Sequence, residues 1–205
     1  MHIAIVGGGN VGQALGHAWK KAGHKITFAV RDLHSPNAAK LKAADYGVLP
    51  LADAAKKAEV ILLAIPWQGV EQAIASLGSL AGKIVIDATN PLTADLDLAI
   101  GYDDSAGETV ARLARGARIV KAFNTTGAEN MDKASDFPSK PAMFIAGDDA
   151  EAKKTVEKLA DEIGFQPVDV GPLKASRYLE PMAMQWIKLA FSGMGVQFAY
   201  SLITR

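Results

Sequence analysis

The feature that most narrows what this chain folds into is a short apolar run, His2-Ile3-Ala4-Ile5-Val6, that passes directly into Gly7-Gly8-Gly9-Asn10-Val11-Gly12. The second segment has the spacing G-x-G-x-x-G, which alone is a weak signal. Here helically spaced apolar positions follow it (Ala14, Leu15, Ala18, Trp19, Ala22), Gly23 stands where a helix stops, and a second strand is predicted over Lys25 to Val30. Strand, glycine turn, helix and strand together form the unit that binds a dinucleotide pyrophosphate. The motif glycines then have separate jobs. Gly7 makes the tight turn, Gly9 lets backbone approach the phosphates, and Gly12 lets the helix pack on the strand. Gly8 completes the turn, and the amides of Asn10 and Val11 lie at the helix N-terminus, where unpaired N–H groups and the helix dipole favour an anion.

The end of the second strand indicates which dinucleotide. NAD-binding sheets place an acid there, about 20 residues beyond the glycines, to accept from the ribose 2′-hydroxyl. This chain has Val30-Arg31-Asp32 instead. Arg31 would grip a 2′-phosphate through both arms of its guanidinium and stack on adenine, with Ser35 and Lys40 as further donors. Two other readings stand beside this one: Arg31 as a solvated partner of Asp32, and Asp32 as a displaced NAD-type acid. The apolar residue at the usual acidic position favours NADP(H).

Composition excludes several classes. With 22 basic and 22 acidic residues the chain has no electrostatic footprint for nucleic acid. It contains no cysteine, so disulfides, thiolate nucleophiles and cysteine metal sites are absent, which suits a cytoplasmic protein. No H-x-x-H or carboxylate cluster has metal-ligand spacing. The N-terminus lacks the basic region of a signal peptide. Met182 to Ile203 is the most apolar stretch, but its charge-free part, Leu189 to Thr204, falls short of the roughly 20 residues a membrane span needs. A buried core or subunit contact is expected there.

Along the chain, strands and helices alternate as a parallel α/β sheet requires. A helix is expected over Pro36 to Tyr46, with Ser35 as N-cap and Gly47 as its stop, then a short strand near Val48 and a helix over Leu51 to Ala58. Glu59 to Ile65 and Lys83 to Asp87 read as strands buried on both faces, separated by a helix over Gly69 to Leu77. Asn90 to Gly101 reads as loop. Ser105 to Glu108 has capping-box spacing and opens a helix to about Arg115. Arg118 to Phe123, Pro141 to Ala146 and Gln166 to Val170 are predicted as the sixth, seventh and eighth strands, with a helix over Ala150 to Ile163 capped by Asp148 or Asp149. Two last helices are expected, Leu173 to Phe191 (kinked or split at Pro181) and Val196 to Ile203. The expected fold is a doubly wound Rossmann sheet, mostly parallel and of about eight strands, with a short helical C-terminal extension. Residues 1–205 read as one domain. Residues 1–170 carry the sheet, and 171–205 close the site or form a homodimer contact.

In such sheets ligands lie beyond the carboxyl ends of the strands. Besides the glycine turn, three such ends carry distinctive residues: Ala64-Ile65-Pro66-Trp67, Thr89-Asn90-Pro91 and Phe123-Asn124-Thr125-Thr126. Ala64, Ile65, Pro66, Asn90 and Pro91 are candidates for the nicotinamide half of a cofactor, and Trp67, Asn124, Thr125 and Thr126 for an acceptor site. Taken singly, Asn124 also reads as a turn asparagine and Trp67 as a core anchor. His2, His17, His24 and His34 do not stand at strand ends suited to protonate a substrate, and read as surface or structural.

The Gly7 to Gly12 turn, Arg31 and Ile65-Pro66-Trp67 resemble the NADPH-dependent reductases of the deazaflavin coenzyme F420, over nearly the full length. Lys121-Ala122-Phe123-Asn124-Thr125 also resembles the NADPH-binding domain of six-transmembrane ferric reductases, a sister group that binds flavin. The resemblance implies NADPH over the glycine turn, its 2′-phosphate at Arg31, and a small-molecule ring acceptor (F420, FMN or FAD) near the Asn90 and Asn124 loops and the C-terminal helices. Hydride transfer between stacked rings asks for positioning rather than an ionised catalytic group. Two rivals remain. A carbonyl or imine reductase would need a helical domain of about 100 residues after the sheet, whereas 35 residues follow Val170. A non-catalytic NADP(H) sensor would bind the nucleotide without turnover.

Overall fold

The strands of the N-terminal half are runs of Ile, Val, Leu and Ala without polar alternation, the pattern of strands covered on both faces. The computed structural model describes residues 1–205 and forms them into one eight-stranded sheet. The strands are β1 (His2–Val6), β2 (Lys25–Val30), β3 (Gly47–Pro50), β4 (Val60–Leu63), β5 (Ile84–Asp87), β6 (Arg118–Lys121), β7 (Ala142–Gly147) and β8 (Gln166–Asp169), in the order β3-β2-β1-β4-β5-β6-β7-β8. Strands β1 to β6 are parallel, β7 runs antiparallel to β6, and β8 runs parallel to β7.

Seven helices cover the two faces: α1 (Asn10–Lys21), α2 (Pro36–Ala43), α3 (Leu51–Lys57), α4 (Val70–Leu77), α5 (Ala106–Leu113), α6 (Ala150–Asp161) and α7 (Ser176–Leu189). Alternate residues of each strand feed opposite layers. Ile3 and Ile5 join Leu15, Trp19, Phe28 and the apolar side of α6, while Ala4 and Val6 join α3, α4 and Val110 of α5. Trp19 is fully buried and its indole N–H donates to the Leu159 carbonyl at 3.0 Å, which pins α1 to α6 on the same face of the sheet. This is the doubly wound Rossmann architecture expected from the sequence, with its switch point between β1 and β4.

Four departures from expectation have a visible cause, local in three cases and distant in the last. The helix from Pro36 ends at Ala43 because Asp45 turns to a positive φ of 59°, and Gly47 begins β3 instead of stopping the helix. Strand β6 ends at Lys121, two residues before Phe123, which takes φ 60°. Helix α7 runs unbroken through Pro181, which leaves only the Arg177 carbonyl without its helical donor. The expected helix over Val196 to Ile203 does not form. Gly193 and Gly195 turn the chain with φ of 106° and 75°, and the following carbonyls are claimed elsewhere. Asn130 donates to the Val196 and Phe198 carbonyls, Trp186 donates to Phe198, and the Ala142 amide donates to Tyr200. The C-terminal segment is therefore an extended strap tied to α7 and β7. No helix of the chain is long and apolar enough to cross a membrane.

The Ser105 cap forms, but its glutamate works differently from a standard capping box. The Ser105 hydroxyl accepts from the Glu108 amide, and the Glu108 carboxylate receives the Ser105 hydroxyl and a two-armed Arg177 at 2.7 and 2.8 Å. Those Arg177 hydrogen bonds hold the Glu108 carboxyl below its usual value of 4.5, against the opposing effect of partial burial. A carboxyl held low in the folded state contributes stability above its unfolded value and loses it as pH falls through the folded value. Glu108→Gln is accordingly expected to lower stability on the order of 1 kcal/mol at pH 7 and to lie closer to the wild type at a pH well below 4.5. Urea unfolding at the two pH values measures this, and an equal deficit at both would rule the ion pair out as its cause.

Candidate active site

The carboxyl ends of β1 to β6 share one edge of the sheet, and the turn after β1 is its most constrained part. Gly7 adopts φ 119°, and a Cβ there would overlap the Ala64 carbonyl at the end of β4. A Cβ at Gly12 would overlap the carbonyl oxygen of Gly7. Both glycines are thus demanded by the fold. Gly9 is different: its φ is −81°, and a Cβ there meets no atom within 4 Å. Nothing inside the protein requires glycine at this position, which faces open space at the start of α1.

Helix α1 begins without a side-chain cap and with no acid in its first turn, whereas Ser35, Ser105 and Asp149 cap α2, α5 and α6. Its first amides and dipole therefore point at that open space uncompensated, which suits an anion. A cleft of about 770 Å³ lies in front of it. Of the residues expected at the nucleotide, Gly7, Gly8, Gly9, Arg31, Ser35, Ala64, Ile65 and Pro66 line this cleft together. Asn10 and Val11 open α1 at its rim, and Gly12 lies buried behind the turn.

At the far end of the cleft, Arg31 is exposed. Asp32, its expected alternative partner, is exposed and lines the cleft beside it; its Oδ1 accepts from the His34 amide at 2.8 Å, and its carbonyl accepts from the Ser35 hydroxyl at 2.9 Å. Arg31 is left as the cation of this wall. Lys40 does not reach the cleft, although it was expected as a donor. Sequence reasoning missed Asn37, Gln68 and Gln72, which also line it. The signal was present: two glutamines four apart after the Pro66 turn share one helical face.

Asn90, Pro91, Asn124, Thr125, Thr126 and Trp67 do not line this cleft. Trp67 packs against the α3–α4 side of the core. Thr125 and Thr126 are buried, and the Thr126 hydroxyl accepts from Asn130. Asn90 and Asn124 bind one another: the Asn90 amide donates to the Asn124 carbonyl at 3.0 Å, and the Asn124 amide donates to Asn90 Oδ1 and to the Leu179 carbonyl of α7, both at 3.1 Å. Asn124 Oδ1, in a residue 5% exposed, has no partner.

Beneath these loops lies a charged group that the sequence reading passed over. Lys121, Asp87 and Glu180 are between 0 and 1% exposed. Lys121 Nζ donates to Asp87 Oδ2 at 2.9 Å and to the Thr89 carbonyl at 2.6 Å, and lies 2.9 Å from Glu180 Oε1. Burial opposes charge on Lys121, and the Asp87 and Glu180 carboxylates outweigh it, holding the ammonium above its ordinary value. The signal was a charged residue at the end of each of two fully buried strands, Ile84-Val85-Ile86-Asp87 and Ile119-Val120-Lys121. Such residues need one another. The histidines are structural where they are bonded: His2 Nε2 to the Thr27 hydroxyl, and His24 between the N-terminal amine and Glu162.

Comparison with known proteins places relatives around this geometry. The model of the family described as "NADP oxidoreductase coenzyme F420-dependent" matches residues 2–91. An F420-dependent NADP reductase of Methanothermobacter marburgensis is 32% identical over 92% of this chain and 92% of its own. The crystal structure of a chain assigned as an F420-dependent NADP reductase, from Arthrobacter sp. FB24, superposes with a TM-score of 0.91 at 28% identity, covering 98% of this chain and 99% of that one. The metalloreductase STEAP3 of Rattus norvegicus is 28% identical over 89% of this chain, which spans 36% of that protein's length.

Proposed function

Since the chain belongs to the family of F420-dependent NADP oxidoreductases, we propose that it transfers hydride between NADPH and a deazaflavin of the F420 type. The observation that carries this reading is the uncapped start of α1 facing a cleft whose other end is the exposed cation Arg31. A cofactor with a pyrophosphate in its middle and a phosphate at one end would offer an anion to each. The clear space at Gly9 fits the same group, since a Cβ there would project where the phosphates lie.

When bound, the nicotinamide supplies or takes the hydride. The chain's own residues orient and enclose it. Gly7, Gly8 and Gly9, with the amides of Asn10 and Val11, hold the pyrophosphate. Gly12 keeps α1 close behind them, and Arg31 takes the 2′-phosphate, with Ser35 beside it turning its hydroxyl proton to the Asp32 carbonyl. Ala64, Ile65 and Pro66 back the middle of the cofactor. Asn90, Pro91, Asn124, Thr125 and Thr126 shape the end where a ring acceptor stacks, with Trp67 packed against the α3–α4 side of the core. In this reading residues 1–205 act as one unit, with 171–205 closing the acceptor end. The exposed Phe191 and Met194 support a homodimer formed through that segment. Orientation of two rings supplies the acceleration, so no ionised side chain is assigned to the chemistry.

The test is loss of oxidised deazaflavin absorbance with NADPH and then with NADH. Bleaching is expected with NADPH and to be much slower with NADH. Arg31→Ala is expected to lower kcat/KM for NADPH by about 10- to 100-fold, the loss of one charged hydrogen-bonding group, and to leave the NADH rate within about threefold. Bleaching with NADH alone would assign the cofactor as NAD and transfer the role of Arg31 to Asp32. The STEAP3 match favours a second reading, reduction of FMN, FAD or a ferric chelate. Turnover with those acceptors and none with deazaflavin would establish it. Nucleotide binding without turnover on any acceptor would make the protein an NADP(H) sensor.

A further inference from the structure

The buried Lys121–Asp87–Glu180 group stands at the ends of β5 and β6, from which the two loops assigned by the functional reading to the acceptor depart, and its bonds run to the first of those loops. An ammonium has three protons. Lys121 donates to the Asp87 carboxylate at the end of β5 and to the Thr89 carbonyl one residue before Asn90, and is ion-paired with the Glu180 carboxylate on α7. Asp87 grips the same loop a second time, its Oδ1 accepting from the Thr89 amide at 2.9 Å and from the Thr89 hydroxyl at 2.7 Å. Glu180 extends the chain of contacts, accepting from the Ala106 and Gly107 amides at the start of α5 at 2.9 and 3.0 Å.

The neighbouring residues repeat the same connection. Leu179, adjacent to Glu180, offers its carbonyl to Asn124, and Asn124 is paired in turn with Asn90. Phe123 holds Asn124 in place at the cost of a positive φ of 60°, rare for a bulky residue, with its ring buried edge-on to Trp19 and Phe165. The β5 loop, the β6 loop and α7 are thus joined twice within a few residues.

A buried ion cluster whose work was only to fill the core would be dispensable, because apolar side chains of similar volume often serve stability as well or better. No apolar side chain can hold the Thr89 carbonyl. We propose that Lys121 is a positioning residue for the acceptor end of the site: its ammonium sets the Thr89–Pro91 loop against α7 and so fixes the Asn90–Asn124 pair toward the ring acceptor. The proposal rests on the assignment of those loops to the acceptor, and its test is chosen to survive failure of that assignment.

Lys121→Met alone strands two buried carboxylates, so the informative protein is the double variant Lys121→Met with Asp87→Asn. It exchanges one cation with two carboxylates for a single carboxylate and leaves the group's net charge unchanged. Hydrogen exchange read by mass spectrometry is expected to quicken about tenfold or more at Thr89 to Leu92 and at Asn124 to Gly127, with Gly7 to Gly12 unchanged. For deazaflavin, kcat/KM is expected to fall by about 30-fold or more, while the NADPH dissociation constant, read by fluorescence, stays within about threefold. Native exchange in both loops, or acceptor kinetics restored to the wild-type value, would overturn the proposal, since Lys121 would then only balance charge. Equal quickening over the whole chain would overturn it too, as general loosening. If the wild type reduces no ring acceptor, the functional reading fails and the exchange pattern alone decides the role of Lys121.

Discussion

Lys121→Met is expected to lower the free energy of unfolding by about 3–5 kcal/mol, because removing one partner of a buried ion cluster leaves uncompensated charge in the core. Asp87 and Glu180 would retain only their hydrogen bonds to Thr89, Ala106 and Gly107, and neither is more than 1% exposed. Urea unfolding of the two proteins at pH 7 measures the loss, and a difference under about 1 kcal/mol would mean that water reaches the group and screens it. The native cluster also has a pH signature. Lys121 is held above its ordinary value of 10.5, so its contribution is present in full below that pH and disappears only as pH rises through the folded value. Wild-type stability should therefore lose this contribution only in strongly alkaline solution, and the variant should show no alkaline loss from this source.

The second large effect separates two glycines that a sequence motif treats alike. Gly12→Val is expected to cost about 3 kcal/mol or more and to abolish nucleotide binding, because its Cβ would overlap the Gly7 carbonyl and force α1 away from β1. Gly9→Ala should leave the fold intact: φ is −81°, no atom lies within 4 Å of the new methyl, and a stiffer unfolded chain favours the variant by about 0.4–1 kcal/mol. NADPH affinity should nevertheless fall by about 10-fold or more as the methyl displaces the pyrophosphate. Thermal unfolding and NADPH titration of both proteins give the comparison. Unimpaired binding by Gly9→Ala would remove the pyrophosphate from this turn.

Much of this architecture was readable from residue patterns because the relevant physics is local. Continuous Val, Ile and Leu runs marked β4 and β5, the capping residues Ser35 and Ser105 marked helix starts, and the glycine turn marked the cleft. What escaped depended on residues distant in sequence. The strap at Val196 to Tyr200 looked helical by composition, but Asn130, Trp186 and Ala142 capture its carbonyls, and no window of sequence contains those donors. The Lys121 cluster joins positions 34 and 59 residues apart (87, 121 and 180), so its meaning appears only when β5, β6 and α7 are adjacent. Val30 before Arg31 was legible, and so was the choice it implied, but the bond from the His34 amide to Asp32 Oδ1 needed coordinates.

The reversal of β7 has a consequence for how such a chain tolerates change. The turn from β7 into α6 and the crossing from β8 into α7 open on the opposite side of the sheet from the glycine turn. Insertions near Asp148 or Val170 would reach the glycine-turn edge only through α6 and α7, whereas one added residue after β1, β4, β5 or β6 would shift a loop of that edge directly. A lineage descended from such a chain therefore has two kinds of border: a frontier where each added residue acts at once, and a hinterland whose changes are passed on through the helices that leave it.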